Sequence, residues 1–255
     1  MATEILKGSL ITTIENKIAT LEFGHPASNS FPSDLLKRLT KELNNLSNNS
    51  SVSVIVLKSG GTSAFCSGAS FDELLEVSNL EEATKFFSGF ANVLNAMRNC
   101  SKIIIGRIHG KAVGGGIGIA AACDYALATI ESNIKLSELT IGIGPFVIEP
   151  ALTRKIGKST MAELTLDASE WKTATWANQK GLYAKVFETT TELDIEITAF
   201  ANKLSSYNPE ALIEMKKVFW EGTENWETLL YKRAEISGKL VLSDFSKQAL
   251  NQFKK

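Results

Sequence analysis

Cysteine and histidine are scarce in this sequence, which has three cysteines and two histidines among 255 residues. The cysteines Cys66, Cys100 and Cys123 are odd in number and scattered, so they indicate neither a disulfide framework nor a zinc site. The two histidines, His25 and His109, are far apart in the chain and are not expected to form a metal pair. We therefore expect no bound metal, and free thiols suit a reducing compartment.

The sequence also lacks an excess of charge of either sign and any long apolar run. Its 27 basic residues nearly balance 28 acidic ones, which argues against nucleic acid as the main partner. No apolar run approaches the roughly 20 residues that span a bilayer. The first residues lack the apolar core of a secretion signal. We expect a cytoplasmic protein that binds neither nucleic acid nor membrane.

Strand-like and helix-like segments alternate through the first part of the chain. Two alternating apolar runs around Glu15 and Asn16 predict a β-hairpin, and leucines at helical spacing follow Pro32. The runs VSVIVLKSG and KIIIGRIHG predict buried strands, and the amphipathic segment LEEATKFFSGFANVLNAMRN lies between them. This alternation indicates an α/β domain with largely parallel pairing. From about Ile148 onward the pattern is helical almost throughout, and we expect these helices to pack on the α/β part.

Glycine is concentrated in HGKAVGGGIGIAAACD, where Gly114, Gly115 and Gly116 are followed by Gly118 in a helix-like stretch. Each glycine inside a helix costs about 1 kcal/mol relative to alanine, so we expect some group to approach this backbone closely. A phosphate cradle is one interpretation. It fits poorly, because five residues separate the strand-like IIIGRI from the first glycine. The partial P-loop IGKST also fails, since the position of its first glycine holds Leu152.

A second turn of small residues favours a different kind of site. Ser67, Gly68, Ala69 and Ser70 follow the strand VSVIVLKSG, within SAFCSGASFDEL. Two such turns can form an oxyanion site, in which two backbone N–H groups point at a carbonyl oxygen that gains charge. Taken singly, each turn is equally compatible with a tight strand-to-helix connection that binds nothing.

Three segments, in order, resemble motifs of the crotonase superfamily, which includes enoyl-CoA hydratases and isomerases. AFCSGASFDEL is similar to the family's AFxAGAD turn, and IHGKAVGGGIGIAAACDYALA to its NGxxxGGGxEL…CD segment. KLSELTIGIGPFVIEPALTRKIG is similar to its FxxPExxxGxxP…LxRxxG segment. The similarity covers most of residues 8–220 and is far more specific than any single glycine motif.

The resemblance implies an α/β fold with a crotonase-like ββα-spiral core and an all-helical C-terminal region. We place the core, with acyl-CoA binding and catalysis, in residues 1–195 and the helical region in residues 196–255. In this family the C-terminal helices build trimers that often pair into hexamers. The resemblance therefore implies a homotrimer or a hexamer made of two trimers.

The resemblance also implies an acyl-CoA thioester as the substrate, with coenzyme A a part of that substrate and no separate cofactor. Carried over by position, the backbone N–H groups of Ala69 and Gly115 bind the thioester oxygen. Ser67, Gly68 and Gly114 are expected beside them in the coenzyme A site, where Ala69 and Gly115 also contribute.

One of the two glutamates that hydratases of this family use is missing. The first stands two residues after the glycine triplet, where this chain has Gly118, and the second is retained as Glu138. Glycine cannot hold a water, so a single carboxylate favours Δ3-to-Δ2 isomerisation, with Glu138 shuttling a proton. Glu149, at a predicted helix start, is either a first-turn acid favoured by the helix dipole or a second carboxylate that reaches the pocket.

Two alternatives stay open at this point. Hydration of a trans-2-enoyl-CoA would use Glu138 with or without Glu149. A catalytically silent acyl-CoA-binding protein, kept for assembly or regulation, is the alternative outside enzymes. The missing acid at Gly118 favours such a binder, whereas the retained Glu138 argues against it.

Overall fold

The structure, a computed structural model, describes residues 7–252. The strands are β1 (Ser9–Glu15), β2 (Ile18–Gly24), β3 (Val54–Ser59), β4 (Ala64–Cys66), β5 (Ile103–Ile108), β6 (Lys111–Val113), β7 (Tyr125–Thr129), β8 (Ile134–Lys135) and β9 (Lys185–Phe187). The helices are α1 (Ser33–Ser47), α2 (Phe71–Glu76), α3 (Leu80–Asn99), α4 (Gly115–Ala122), α5 (Glu149–Leu166), α6 (Ala174–Gln179), α7 (Thr190–Ser205), α8 (Pro209–Phe219), α9 (Trp226–Val241) and α10 (Asp244–Asn251). A 3₁₀ turn covers Glu138–Ile141.

Two sheets form the centre of the molecule. The larger one has the strand order β1-β2-β3-β5-β7-β9, and its neighbours are parallel except in the hairpin β1–β2. The smaller one has the order β4-β6-β8 and is parallel throughout. Every residue of β5 is buried, as expected for a strand covered on both faces. The predicted α/β class with largely parallel pairing is confirmed.

The predicted hairpin is also confirmed, and its turn has a clear conformational cause. Asn16 and Lys17 both adopt left-handed backbone angles, with φ of 51° and 66°. Such angles at both central residues match the right-handed twist of the paired strands. Asparagine tolerates this conformation better than most residues, which is why the reversal occurs here.

Helix α3 lies between α1 and α9, and small residues allow the close approach on both sides. A Cβ on Gly89 would lie 2.8 Å from Leu36 Cδ1, on α1. On the other side, a Cβ on Gly238 of α9 would lie 3.1 Å from the Thr84 backbone nitrogen. Helix α9 thereby packs directly on α3, whose Phe90 contacts Gly115 in the glycine-rich segment.

The expectation that the chain is helical almost throughout after Ile148 is confirmed, and one short strand is the exception. Strand β9 pairs in parallel with β7 and completes the larger sheet. Helix α7 runs unbroken through residue 195, and its buried Leu193, Ile197 and Ala201 pack with apolar residues of the larger sheet. A three-residue strand carries too little periodicity to be found from sequence.

The division into residues 1–195 and 196–255 stays a prediction, and residues 1–6 and 253–255 lie outside the described part. Within residues 7–252, no helix combines the length and the apolar character that crossing a membrane requires.

Candidate active site

Three segments of the chain meet at the carboxyl ends of the smaller sheet. Strand β4 leads into the turn at residues 67–70, β6 leads into Gly114 and helix α4, and β8 leads into the 3₁₀ turn that begins at Glu138. These three strands are parallel neighbours, so the segments that follow them lie side by side. The small sheet therefore positions the residues that the sequence analysis singled out.

The first turn contacts the glycine-rich segment directly. Gly68 has φ of +93°, a conformation that favours glycine. A Cβ on Gly68 would lie 3.1 Å from the Val113 carbonyl oxygen and 3.4 Å from the Gly115 backbone nitrogen. The absence of a side chain at Gly68 thus lets the two backbones lie in contact.

Two backbone N–H groups at this contact are free. Neither Ala69 nor Gly115 donates a hydrogen bond from its backbone within residues 7–252, whereas the Gly114 N–H donates to the Lys135 carbonyl oxygen at 3.1 Å. Gly115 is the first residue of α4, where the N–H groups have no acceptor within the helix. Both residues line the same cavity. These two N–H groups can donate hydrogen bonds to a ligand oxygen.

The consecutive glycines make room for groups of the protein itself. Gly114 has φ of +52°, and a Cβ there would lie 2.9 Å from Glu138 Oε1. A Cβ on Gly115 would overlap the ring of Phe90, and one on Gly116 would lie 2.6 Å from the Cys66 carbonyl oxygen. The close approach that the sequence predicts is therefore made by side chains and backbone of this chain.

The cavity at these segments has a volume of about 410 Å³. Its lining is mostly apolar and comes from the three segments, from helices α2, α3 and α9, and from the loops before and after α5. The lining residues are Ser67, Gly68, Ala69, Phe71, Leu74, Phe86, Phe87, Phe90, Val113, Gly114, Gly115, Lys135, Ser137, Glu138, Thr140, Ile141, Ile143, Gly144, Pro145, Phe146, Val147, Ile148, Trp171 and Ser237. Such a wall suits an acyl chain, with few polar groups to orient it.

Glu138 is the one carboxylate among the described residues that line this cavity. Its Oε2 atom is buried and has no hydrogen-bond partner within the described chain. Burial disfavours the charged form and raises the pKa of the Glu138 carboxyl to about 7. A group with that pKa can both take and return a proton near neutral pH.

The space beside Gly118 is already filled. A Cβ at this position would overlap Ile148 Cγ2 and lie 2.7 Å from Ile148 Cβ. Ile148 is only 4% exposed and immediately precedes α5. The chain thus has no side chain at position 118 and holds the apolar side chain of Ile148 where one would stand.

Glu149 is not among the residues that line the cavity. Its Oε1 atom accepts a hydrogen bond from Thr153 Oγ1 at 2.6 Å, and its Oε2 lies 3.5 Å from Arg233 Nη2. Helix α5 begins at Glu149, where a carboxylate is favoured by the helix dipole. These contacts suit the structural interpretation of Glu149, and its catalytic role stays a prediction.

Several cavity residues were missed by the sequence analysis. Phe90 and Ile148 lie on segments whose contacts with the glycine helix depend on packing alone. Lys135 Nζ lies 5.8 Å from the centre of the Trp171 ring, and both residues line the cavity. A signal for Lys135 was present, because it stands three residues before Glu138 in the same motif. No local pattern connects Trp171 to the cavity.

Two further titratable residues, Cys66 and His109, are not among the residues that line the cavity. Cys66 is buried, and its burial raises the pKa of the thiol to about 12, which favours the protonated thiol at neutral pH. The Gly68 N–H approaches Cys66 Sγ at 3.3 Å, which supports the turn. His109 is buried outside the cavity lining, and burial followed by the charge of Arg107 lowers its pKa to about 4.

Comparisons with known proteins agree with the geometry. A family model described as enoyl-CoA hydratase/isomerase matches residues 13–254. The chain is 29% identical to a short-chain-enoyl-CoA hydratase of Clostridium acetobutylicum, over 96% of this chain and 94% of that protein. It is 28% identical to a peroxisomal Delta(3,5)-Delta(2,4)-dienoyl-CoA isomerase of Arabidopsis thaliana, over 88% and 84% of the two chains.

The fold is also similar to solved structures. A crystal structure of an enoyl-CoA hydratase from Bacillus halodurans superimposes with a TM-score of 0.88 at 22% identity, covering 95% of this chain and 99% of that one. A crystal structure of an enoyl-CoA hydratase from Mycobacterium avium gives a TM-score of 0.85 at 25% identity, covering 96% and 95%. The architecture of these proteins and of this chain is the same.

Proposed function

We propose a specific reaction for this chain, which belongs to the enoyl-CoA hydratase/isomerase family of the crotonase superfamily. In this proposal the enzyme isomerises a 3-enoyl-CoA to the 2-enoyl-CoA, with Glu138 as its single base. One observation carries the proposal. Glu138 is the sole carboxylate among the described cavity-lining residues, and its buried Oε2 has no partner there. A single acid–base group is sufficient for moving a proton, whereas the family's hydratases use two.

The proposed reaction is a proton shuttle. The ionised Glu138 removes a proton from C2 of the 3-enoyl thioester, and the electron pair of that C–H bond delocalises through the neighbouring double bond and the carbonyl. The protonated Glu138 then returns the proton to C4, which leaves the double bond between C2 and C3. Its pKa of about 7 suits both halves of this cycle.

The dienolate formed between the two proton transfers concentrates negative charge on the thioester oxygen. The N–H groups of Ala69 and Gly115, which have no acceptor within the described chain, are proposed to donate to that oxygen. Removing one donor of this kind typically costs about 3 kcal/mol of transition-state stabilisation. We place coenzyme A along Ser67, Gly68 and Gly114, and the homotrimer or hexamer stays a prediction.

Hydration of a trans-2-enoyl-CoA is the second candidate function. The observation in its favour is that relatives of comparable similarity are named hydratases, including the short-chain-enoyl-CoA hydratase of Clostridium acetobutylicum. Against it stands Gly118, where the family's hydratases keep an acid. In this alternative Glu138 would act alone or with Glu149.

The replacement Glu138→Gln tests the proposal, because it keeps the shape of the side chain and removes its basicity. We expect the kcat for a 3-enoyl-CoA to fall by about 10²–10⁴-fold, the usual contribution of general acid–base catalysis. The reaction is followed by the growth of the conjugated enoyl thioester absorbance, and circular dichroism verifies that the variant is folded.

Glu149→Gln is the matched control, since it makes the same chemical change outside the cavity lining. We expect its kcat to stay close to that of the wild type. If Glu138→Gln keeps near-normal turnover of the 3-enoyl-CoA, the proposal is wrong. Assaying both variants and the wild type with a 2-enoyl-CoA separates the candidates, because faster hydration than isomerisation by the wild type supports the second one.

A further inference from the structure

Ile148 occupies the place that a side chain at position 118 would need, and we propose that Ile148 is a specificity-determining residue that restricts the site to proton transfer. The inference rests on the proposed function, in which Glu138 is the sole acid–base group. It adds that two segments, helix α4 and the loop before α5, together prevent the hydration reaction.

The backbone of Gly118 does not itself demand glycine. Gly118 lies inside α4, and its φ is outside the left-handed range. What excludes a side chain is Ile148, whose Cγ2 a Cβ would overlap and whose own Cβ would be 2.7 Å away. These atoms form the branch point of a β-branched residue, which is stiff at χ1. Ile148 is also 4% exposed, so it has little room to turn aside.

Ile148 also faces the substrate space. It lines the cavity together with Glu138, Gly114 and its neighbour Val147. Hydration requires a water that is held and activated near C3, so that its oxygen bonds to C3 while a proton adds to C2. An apolar branched side chain provides neither the hydrogen-bond acceptor nor the space that this water needs. Proton transfer by Glu138 requires no such water.

The first test measures packing and uses no substrate. In the wild type, Gly118→Ala should lower Tm, because the new Cβ overlaps Ile148. In an Ile148→Gly background the same substitution should leave Tm unchanged or raise it, since alanine is the better helix former. In an Ile148→Val background Gly118→Ala should still lower Tm, because valine keeps both Cβ and Cγ2.

Two results of this test would overturn the inference: an equal change of Tm in all three backgrounds, or a loss in the glycine background as large as in the valine background. If Ile148→Gly fails to fold, Ile148→Ala takes its place, because alanine removes Cγ2 and retains Cβ. The loss of Tm caused by Gly118→Ala should then be smaller than in the valine background, and an equal loss overturns the inference.

The second test measures whether making room at position 148 allows an acid at position 118 to support hydration. Gly118→Glu is made alone, with Ile148→Val and with Ile148→Gly, and each variant is assayed for hydration of a 2-enoyl-CoA and isomerisation of a 3-enoyl-CoA. We expect the ratio of hydrated to isomerised product to rise at least tenfold only in the variant with Gly118→Glu and Ile148→Gly. A similar rise in Gly118→Glu alone or with Ile148→Val would show that Ile148 does not set the specificity.

The two tests separate this inference from the proposed function. If Glu138→Gln keeps its isomerase activity, the proposed base is wrong, but the Tm measurements still decide whether Ile148 excludes a side chain at position 118. If Glu138→Gln is inactive and the effect of Gly118→Ala does not depend on residue 148, only the present inference fails.

Discussion

Two carboxylates flank the same short helix, α4, and differ in their partners. Beyond its C-terminal end, Asp124 accepts hydrogen bonds from Trp220 Nε1 at 2.8 Å, Lys216 Nζ at 2.6 Å and the Ile104 backbone N–H at 2.8 Å. Beside its N-terminal end, Glu138 has an Oε2 atom with no partner in the described chain.

The difference in partners indicates a difference in role. A buried carboxylate that is fully hydrogen-bonded and paired with a cation holds elements together, and its removal leaves the cation uncompensated. A carboxylate oxygen that is buried without a partner costs stability, and such a group is retained where its proton affinity is useful. We therefore interpret Asp124 as the anchor between the end of α4 and helix α8, whereas the environment of Glu138 is consistent with its proposed role as the acid–base group.

The largest stability effect is expected for Asp124→Ala. Lys216 would be left as an unpaired charge, and its side chain is only 3% exposed. Breaking a buried pair in this way typically costs about 3–5 kcal/mol, measured as the free energy of unfolding in urea. Glu214→Ala is the control, because the pair of Glu214 with Lys217 is exposed and worth at most about 1 kcal/mol. Equal losses in the two variants would contradict the assigned role of Asp124.

Replacing Glu138 is expected to raise the stability of the fold at high pH, whereas replacing Asp124 lowers it. Its pKa is about 7 in the folded chain, against 4.5 for an ordinary glutamate side chain, so the folded state keeps a proton that the unfolded state releases between these values. Stability from this group is therefore lost as pH rises through that window. Glu138→Gln removes the effect, and its Tm should exceed that of the wild type at pH 8 and match it at pH 4. A lower Tm at pH 8 would mean that Glu138 stabilises the fold.

The same pKa gives an expectation for catalysis. Only the ionised carboxylate can remove the C2 proton, so kcat should fall about tenfold per unit as pH drops below about 7. The measurement is a pH profile of kcat with a 3-enoyl-CoA. A profile that stays level down to pH 5 would place the base on a group other than a buried Glu138.

A smaller loss of stability than that of Asp124→Ala is expected for Trp220→Phe. This change removes the indole N–H donor to Asp124 Oδ1 and leaves the ion pair with Lys216 in place. A hydrogen bond to a charged acceptor contributes about 1.5–3 kcal/mol, so the loss should be smaller than for Asp124→Ala. Urea unfolding of the single and double variants measures it. Additive losses in the double variant would show that Trp220 acts independently of Asp124.

Much of the secondary structure follows from local pattern. The long amphipathic segment predicted before the second buried strand is helix α3 with the same bounds, Leu80–Asn99. The hairpin at Asn16 is present as well. Both depend on periodicity and turn chemistry, which are properties of neighbouring residues. The short strand β9 was missed, because it is stabilised by its pairing with β7 in the larger sheet.

For the candidate site, too, some features could be predicted from the sequence and others only from the tertiary structure. By itself the sequence determined the motifs, their order and the glycine at position 118, since these are matters of residue identity and spacing. Only the tertiary structure decided that Ala69, Gly115 and Glu138 line one cavity, that Glu149 is outside its lining and that Ile148 fills the space at position 118. The physical reason is that close packing between distant segments sets which space is left empty, and no local pattern records it.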